Sequence, residues 1–362
     1  MSINEIIVYG MVVFMALGAV DRILGNRFGL GEKFEEGVMA MGSLALAMIG
    51  IICLAPVLAS LLRPVVVPIY TFLQADPAMF AGTILANDMG GANLARELAL
   101  TEEAGQFGGL IVGSMLGPTV VFTIPVALGI IRPEDRPFLA KGVLAGVVTI
   151  PLGGLAGGLA AGFDLLMVVR NLIPILIIAL LIALGLWKAE RGMIRGFTLF
   201  GKGVVAVITV GLAAAIVEEL TGLVIIPGMD PISEGFSTVG AIAIVLAGAF
   251  PLVHVITRVF RKPLMKLGHV LGMNDTAAAG MVATLANNIP MFGMLHEMDE
   301  RGKVINVAFA VSAAFVFGDH LGFTAGFDAA MIAPMIVGKL VGGVTAVGAA
   351  LLLTRKGGRS HG

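Results

Sequence analysis

Apolar stretches long enough to cross a lipid bilayer recur along the chain, near 6–24, 37–62, 107–131, 142–162, 165–187, 198–216, 236–260, 304–324 and 329–354. A helix needs about 20 such residues to span the hydrocarbon core. No water is available there to satisfy a backbone N–H or C=O, so these stretches must be helical. Charged residues make up only 13% of the 362, against 58% apolar, and the mean hydropathy is +1.00. A water-soluble fold could not cover that much apolar surface with so few charges. The chain therefore reads as an all-α polytopic membrane protein whose surroundings are the lipid bilayer. Its net charge of −1 and its short, scattered basic clusters argue against a nucleic-acid partner. Cys53 is the only cysteine, which excludes an intramolecular disulfide and a thiolate metal cluster. The first run lacks the basic start and small-residue cleavage site of a signal peptide, so it is expected to stay as a transmembrane helix.

Two regions differ from the plain spans. Residues 64–95 and 263–296 each follow a basic residue with a proline (Arg63-Pro64, Lys262-Pro263) and are interrupted by polar residues (Asp76-Pro77, Asn274-Asp275). Each carries nearly the same string towards its end, Leu85-Ala86-Asn87-Asp88 and Leu285-Ala286-Asn287-Asn288. They read as re-entrant helical hairpins. Eleven hydrophobic segments result, about nine full crossings plus two hairpins.

The two halves correspond beyond that string. Glu36-Gly37, Gly42, Ala45 and Gly50 match Glu234-Gly235, Gly240, Ala243 and Gly248; Gly117, Phe122 and Thr123 match Gly318, Phe323 and Thr324; Gly142, Leu144 and Gly146 match Gly338, Leu340 and Gly342. Blocks in the same order at nearly one offset indicate an internal repeat. The expected division is repeat 1 over 1–162 with hairpin 64–95, a linker helix and inner loop over 163–196, repeat 2 over 197–354 with hairpin 263–296, and a short cytoplasmic tail over 355–362. If every segment crosses, the loop Lys and Arg residues divide almost evenly between the two sides. If the two hairpins re-enter and the N-terminus is outside, only Arg63 and Arg96 of those loop residues stay outside. The positive-inside rule prefers the second arrangement, which makes the two repeats inverted.

Ionised side chains at mid-bilayer cost roughly 2.5–3.5 kcal/mol on insertion scales, so each needs a reason. Asp88 at the end of the first hairpin and Asp319 within the run 313–323 are the leading candidates for a binding site. Asn87, Asn287 and Asn288 add amides at matching points, and Thr119 and His320 stand at corresponding positions of the two halves. These residues suit a small ligand of mixed polarity. Plainer readings stand beside these. The asparagines and Asp88 equally suit helix caps, Thr119 can bond back to its own helix, and His320 can act as a pH sensor. Glu36 and Glu234 fit the start of a helix, where a carboxylate offsets the helix dipole. No HExxH, paired-cysteine motif or nucleophile elbow is present, so an enzyme is not expected, nor a cofactor or metal.

Longer strings carry a family resemblance. Asp88-Met89-Gly90-Gly91, MVATLANNIPMFGM over 281–294, RGKVIN over 301–306, AFAVSAAF over 308–315 and GDHLGF over 318–323 resemble the bacterial ethanolamine-utilisation permeases. The likeness extends to Ile3-Asn4-Glu5-Ile6-Ile7, FEEGVMAM over 34–41 and residues 132–146, nearly the whole chain. The loops near 25–36 and 160–165 are shorter than the family leads one to expect. The resemblance implies a multi-pass permease of the bacterial inner membrane that takes up ethanolamine by alternating access, as facilitated uptake of the cation. In that reading Asp88 or Asp319 neutralises the ammonium, and Asn87, Asn287, Asn288 and Thr119 hold the hydroxyl or the remaining ammonium protons. The alternatives are a transporter of another small amine or a nucleoside-like solute, with or without proton coupling, and a membrane sensor or enzyme. Self-association into a homo-oligomer is left open.

Overall fold

The computed structural model describes residues 2–354, and among the described residues there are helices and no strands. The expected tail at 355–362 lies outside the described residues. Helix α1 (Ile3–Ile23) opens on a capping box made by Ser2 and Glu5. A turn with left-handed Gly25, Asn26 and Gly29 leads into α2 (Leu30–Phe72), which runs for 43 residues. Short helices follow: α3 (Ala78–Ile84), a 3-10 turn at Asn87–Met89, and α4 (Gly91–Leu98). Next come α5 (Glu102–Gln106), irregular turns over 107–114, α6 (Leu116–Pro118), a π turn at Thr119–Thr123 and α7 (Ile124–Ile130). Helices α8 (Arg136–Val147) and α9 (Ile150–Ala160) precede α10 (Leu165–Thr221), which is kinked at Ala189 where φ is −139°. The second half consists of α11 (Ile232–Val270), α12 (Asp275–Ala286), α13 (Ile289–Gly293), α14 (Glu300–Ala313), α15 (Asp319–Phe327) and α16 (Ile332–Leu353).

Among the described residues, seven helices are long and apolar enough to cross a membrane, and eight spans result when the bent pair 102–114 and 116–130 is taken as one. The expected span at 304–324 is not a single helix. It is unwound over residues 314–318, with Phe315 at φ 63°, which leaves α14 and α15 each too short to cross alone. The cause is a competing partner. The amides of Phe315 and Phe317 donate to the Thr284 and Leu285 carbonyls at 3.2 and 2.9 Å, near the end of α12, rather than to their own helix. The two regions expected as hairpins do not begin at their prolines. Pro64 and Pro263 lie inside α2 and α11, whose apolar runs carry on to Phe72 and Val270. A proline within a membrane helix is tolerated where neighbouring helices re-satisfy the freed groups. Helix α10 continues through 196–197, and its break falls at Ala189.

Helices α2 and α11 pack along each other through the middle of the molecule. Each is also approached by a helix from the opposite half. A methyl group added at Gly50 on α2 would lie 1.9 Å from the Ile208 carbonyl oxygen of α10, and one added at Gly248 on α11 would lie 2.3 Å from the Met11 carbonyl oxygen of α1. The two breaks are closed in the same way. A methyl at Gly117 would meet the Leu85 carbonyl oxygen at 1.9 Å, and one at Gly318 the Ala286 carbonyl oxygen at 2.1 Å. The ends of α3 and α12 therefore sit directly on the broken helices.

Overpacking at such contacts costs about 1–3 kcal/mol. Gly50→Val should lower the apparent melting temperature in detergent by about 1–4 °C. Gly42→Val on the same helix, where an added methyl would meet nothing within 4 Å, should leave it unchanged.

Candidate binding site

Four interrupted backbones converge: the ends of α3 and α12, the turns around Met115–Thr123, and the unwound 314–318 segment. Each exists for a local reason. Gly90, at φ 83°, takes the left-handed conformation that ends the 3-10 turn carrying Asp88, and Ile51 of α2 presses against it. Pro118 has no N–H to return to the Ser114 carbonyl, which loosens the helix there. Asp319 is the first residue of α15, where unpaired amides favour a carboxylate.

Between these ends lies a cavity of about 240 Å³, lined by Ser43, Leu44 and Ala47 of α2, Ala86, Asp88 and Met89, Pro118 and Phe122, and Phe315, Asp319 and His320. A wider cavity of about 500 Å³ adjoins it, with Lys33, Glu36, His254 and Asn287 among its walls. Ser43 and Asp319 line both, so they mark the junction. Glu36 is bonded to Lys33. It lies in the second turn of α2 rather than at the start expected for a dipole role.

The buried end of the smaller cavity is polar. His320 presents Nε2 to Asp88 Oδ1 at 3.8 Å, and its Nδ1 lies 3.0 Å from Nζ of Lys339. Lys339 comes from the middle of α16, is only 1% exposed, and donates to the Ser114 carbonyl as well. The aromatic wall is formed by Phe122 and Phe315, edge to face at 5.6 Å, with Phe315 against the His320 ring at 5.2 Å. Among the described residues no group of three or more His, Cys, Asp or Glu is arranged to hold a metal ion.

Of the residues singled out in the sequence, Asp88, Asp319 and His320 meet in the smaller cavity and Asn287 lines the wider one. Asn287 also accepts the Ile289 amide at 2.8 Å, the capping role weighed for it. The other three do not line either cavity. The Thr119 hydroxyl donates back to the Met115 carbonyl one turn earlier at 2.8 Å and is shared with the Val311 carbonyl of α14 at 3.2 Å. Asn288 is buried and donates to Thr123 Oγ1 at 3.2 Å. Asn87 is buried with no protein partner for either side-chain polar atom. Asp319 is not in mid-helix, because the run around it is broken just before it. Four contributors were missed. Ser43, Phe122 and Phe315 carried no signal in an apolar sequence. Lys339 did, as a lone ionisable residue within the apolar run 329–354.

A family model described as "Ethanolamine utilisation protein, EutH" matches residues 3–353. A Listeria monocytogenes protein named "Probable ethanolamine permease EutH" is 69% identical over 98% of this chain and 95% of its own length. An Escherichia coli protein of the same name is 55% identical over 98% of this chain and 97% of its own. The Bacillus subtilis protein YxeR, described as uncharacterized, is 54% identical over 98% and 96%. No solved structure matches.

The geometry makes one prediction independent of activity. In a chain whose buried Cys53 is replaced by Ala, a cysteine at Ser43 should react with a small water-soluble thiol reagent, whereas one at Thr119 should react at least about tenfold more slowly. Equal rates at the two positions would count against the cavity described.

Proposed function

Because the chain belongs to the EutH family of ethanolamine utilisation proteins, we propose that it carries ethanolamine into the bacterial cell by alternating access, as a multi-pass protein of the inner membrane. The observation that carries this reading is the pair Asp88 and Asp319 on one small cavity. Ethanolamine is mostly an ammonium ion at neutral pH, and such a charge can leave water only against a carboxylate. The rings of Phe122 and Phe315 offer apolar walls and a further attraction for the cation. The Ser43 hydroxyl suits the alcohol end. His320 and Asn287 complete the proposed contacts, the latter at the wide approach. Asn288 and Thr119 act behind the cavity, tying the broken helices together through Thr123 and Val311, and Asn87 is buried behind it. The relatives in Listeria and Escherichia coli that bear the name probable ethanolamine permease support the same substrate.

The two repeats, 1–162 and 197–354 with 163–196 between them, are proposed to be inverted in the membrane. Reciprocal contacts support this: Gly50 on α10 answers Gly248 on α1, and Gly117 on Leu85 answers Gly318 on Ala286. Bonds between distant positions also join only segments that the charge rule assigns to one side. Asn4 bonds to Ala330 and Arg63 to the Glu97 carbonyl on the outer side, and Lys303 to Asp135 on the inner side. The wider cavity, with Lys33 and His254 at its walls, then opens to the cytoplasm. Uptake of the cation needs no coupled ion, since the membrane potential contributes about 2.3 kcal/mol per charge per 100 mV.

Labelled ethanolamine should enter liposomes containing the purified protein, and Asp88→Asn and Asp319→Asn should each lower the rate at least about tenfold. Folded protein with no uptake above empty liposomes would overturn the transporter reading, and wild-type rates in both variants would remove the carboxylates from the site. The topology has a separate check. A cysteine at Ala99 should be labelled by an impermeant reagent from outside intact cells, and labelling only from the cytoplasmic face would rule out the inverted arrangement.

A further inference from the structure

Lys339, only 1% exposed, is a buried ionisable group beside the cavity that the transport reading above leaves without a task. It comes from the centre of an apolar helix, where a lone ammonium would be expelled unless something compensates it. Its neighbours do so. The Ser114 carbonyl is free to accept from Nζ because Pro118, four residues on, has no N–H for it. His320 lies on the other side of Nζ and hands the interaction through its ring to Asp88. Lys339 and Asp88 are also within electrostatic reach of each other, as are Asp88 and Asp319.

The charges of these groups can be counted. Two carboxylates, one lysine and a neutral histidine carry one net negative charge. The count does not depend on where the lysine proton sits. If Nζ passes it to His320 Nδ1 while His320 Nε2–H passes its own to Asp88 Oδ1, the lysine and Asp88 both become neutral and Asp319 still carries the charge. The other charged groups along the approach cancel, since Glu36 is bonded to Lys33. The remaining walls of the smaller cavity, from α2, α6 and the π turn, carry no charge.

We propose that Lys339 sets the charge the cavity accepts: as a resident cation it cancels one of the two carboxylates, so that the site takes a singly charged ammonium and rejects doubly charged and neutral analogues. This rests on reading the Asp88–Asp319 cavity as the ethanolamine site. Lys339 acts through His320 and the carboxylates and is a specificity residue, without a contact to the substrate itself.

The test uses the purified full-length chain in liposomes, with 1,3-diaminopropane as the doubly charged probe competing against labelled ethanolamine. For the wild type, the diamine should inhibit at least about tenfold less potently than unlabelled ethanolamine. In Lys339→Met, with folding checked by its melting temperature, that ratio should move at least about tenfold towards the diamine. Where Lys339→Met is too slow to assay, the double variant Lys339→Met/Asp88→Asn restores the count of one negative charge and should transport ethanolamine at least about threefold faster than Asp88→Asn alone. An unchanged ratio in Lys339→Met, or an inactive Lys339→Met whose double variant is no faster than Asp88→Asn, overturns the proposal and leaves Lys339 a packing residue. Failure of the wild type to take up ethanolamine would instead overturn the underlying transport reading.

Discussion

Inside a bilayer every backbone N–H and C=O needs a partner within the protein, and each local feature of the site follows from how a broken helix meets that demand. Where α14 stops, the amides of Phe315 and Phe317 turn to the carbonyls of Thr284 and Leu285. Where Pro118 withholds a donor, Lys339 supplies one to Ser114. At the end of α12 the Asn287 side chain accepts the Ile289 amide. Breaking a helix in hydrocarbon is costly unless partners like these are in place, so the breaks sit where a neighbouring helix or a local side chain supplies them. The polar space between them is a consequence of that grouping.

Close approach makes the grouping geometrically feasible. Gly117 and Gly318 each touch the carbonyl ending an opposing helix, and a side chain at either would hold the two breaks apart. The same device recurs farther out, where Gly50 and Gly248 seat the helices α10 and α1 against α2 and α11. With no hydrophobic force to draw helices together in lipid, packing density has to do it, and small residues allow the backbones to meet.

Much of this is legible in the sequence because the bilayer penalises polarity so heavily. The spans follow from apolar length, and Asp88, Asp319 and His320 stand out within them; all three line one cavity. The failures are those of local reading. In the run 304–324 Gly318 hints at a local opening of the backbone, but the extent of the unwinding is not legible there, since the partners that permit it lie on α12. Pro64 and Pro263 look like helix starts, yet they lie inside long helices whose neighbours absorb the defect. Thr119 faces its own helix, which spacing alone could not decide. Lys339 was overlooked for a different reason. Its run is rich in glycine, which invites a packing explanation, although the insertion cost that singles out the aspartates applies to it with equal force.

The sequence blocks that correspond between the two halves differ in charge. Asp88 stands where the other hairpin has Asn288, Asp319 where the first half has Pro118, His320 where it has Thr119, and Lys339 where it has Val143. Each half supplies one carboxylate, and without Lys339 the cavity would confront its ligand with two anions and no resident cation. A ligand carrying one positive charge would then leave one anion unpaired in a low-dielectric setting, a costly arrangement. The first half instead supplies the free carbonyl of Ser114 and the carboxylate of Asp88, while the second supplies His320, Lys339 and Asp319. Such an asymmetric charge set suits a small, singly charged molecule with two different ends.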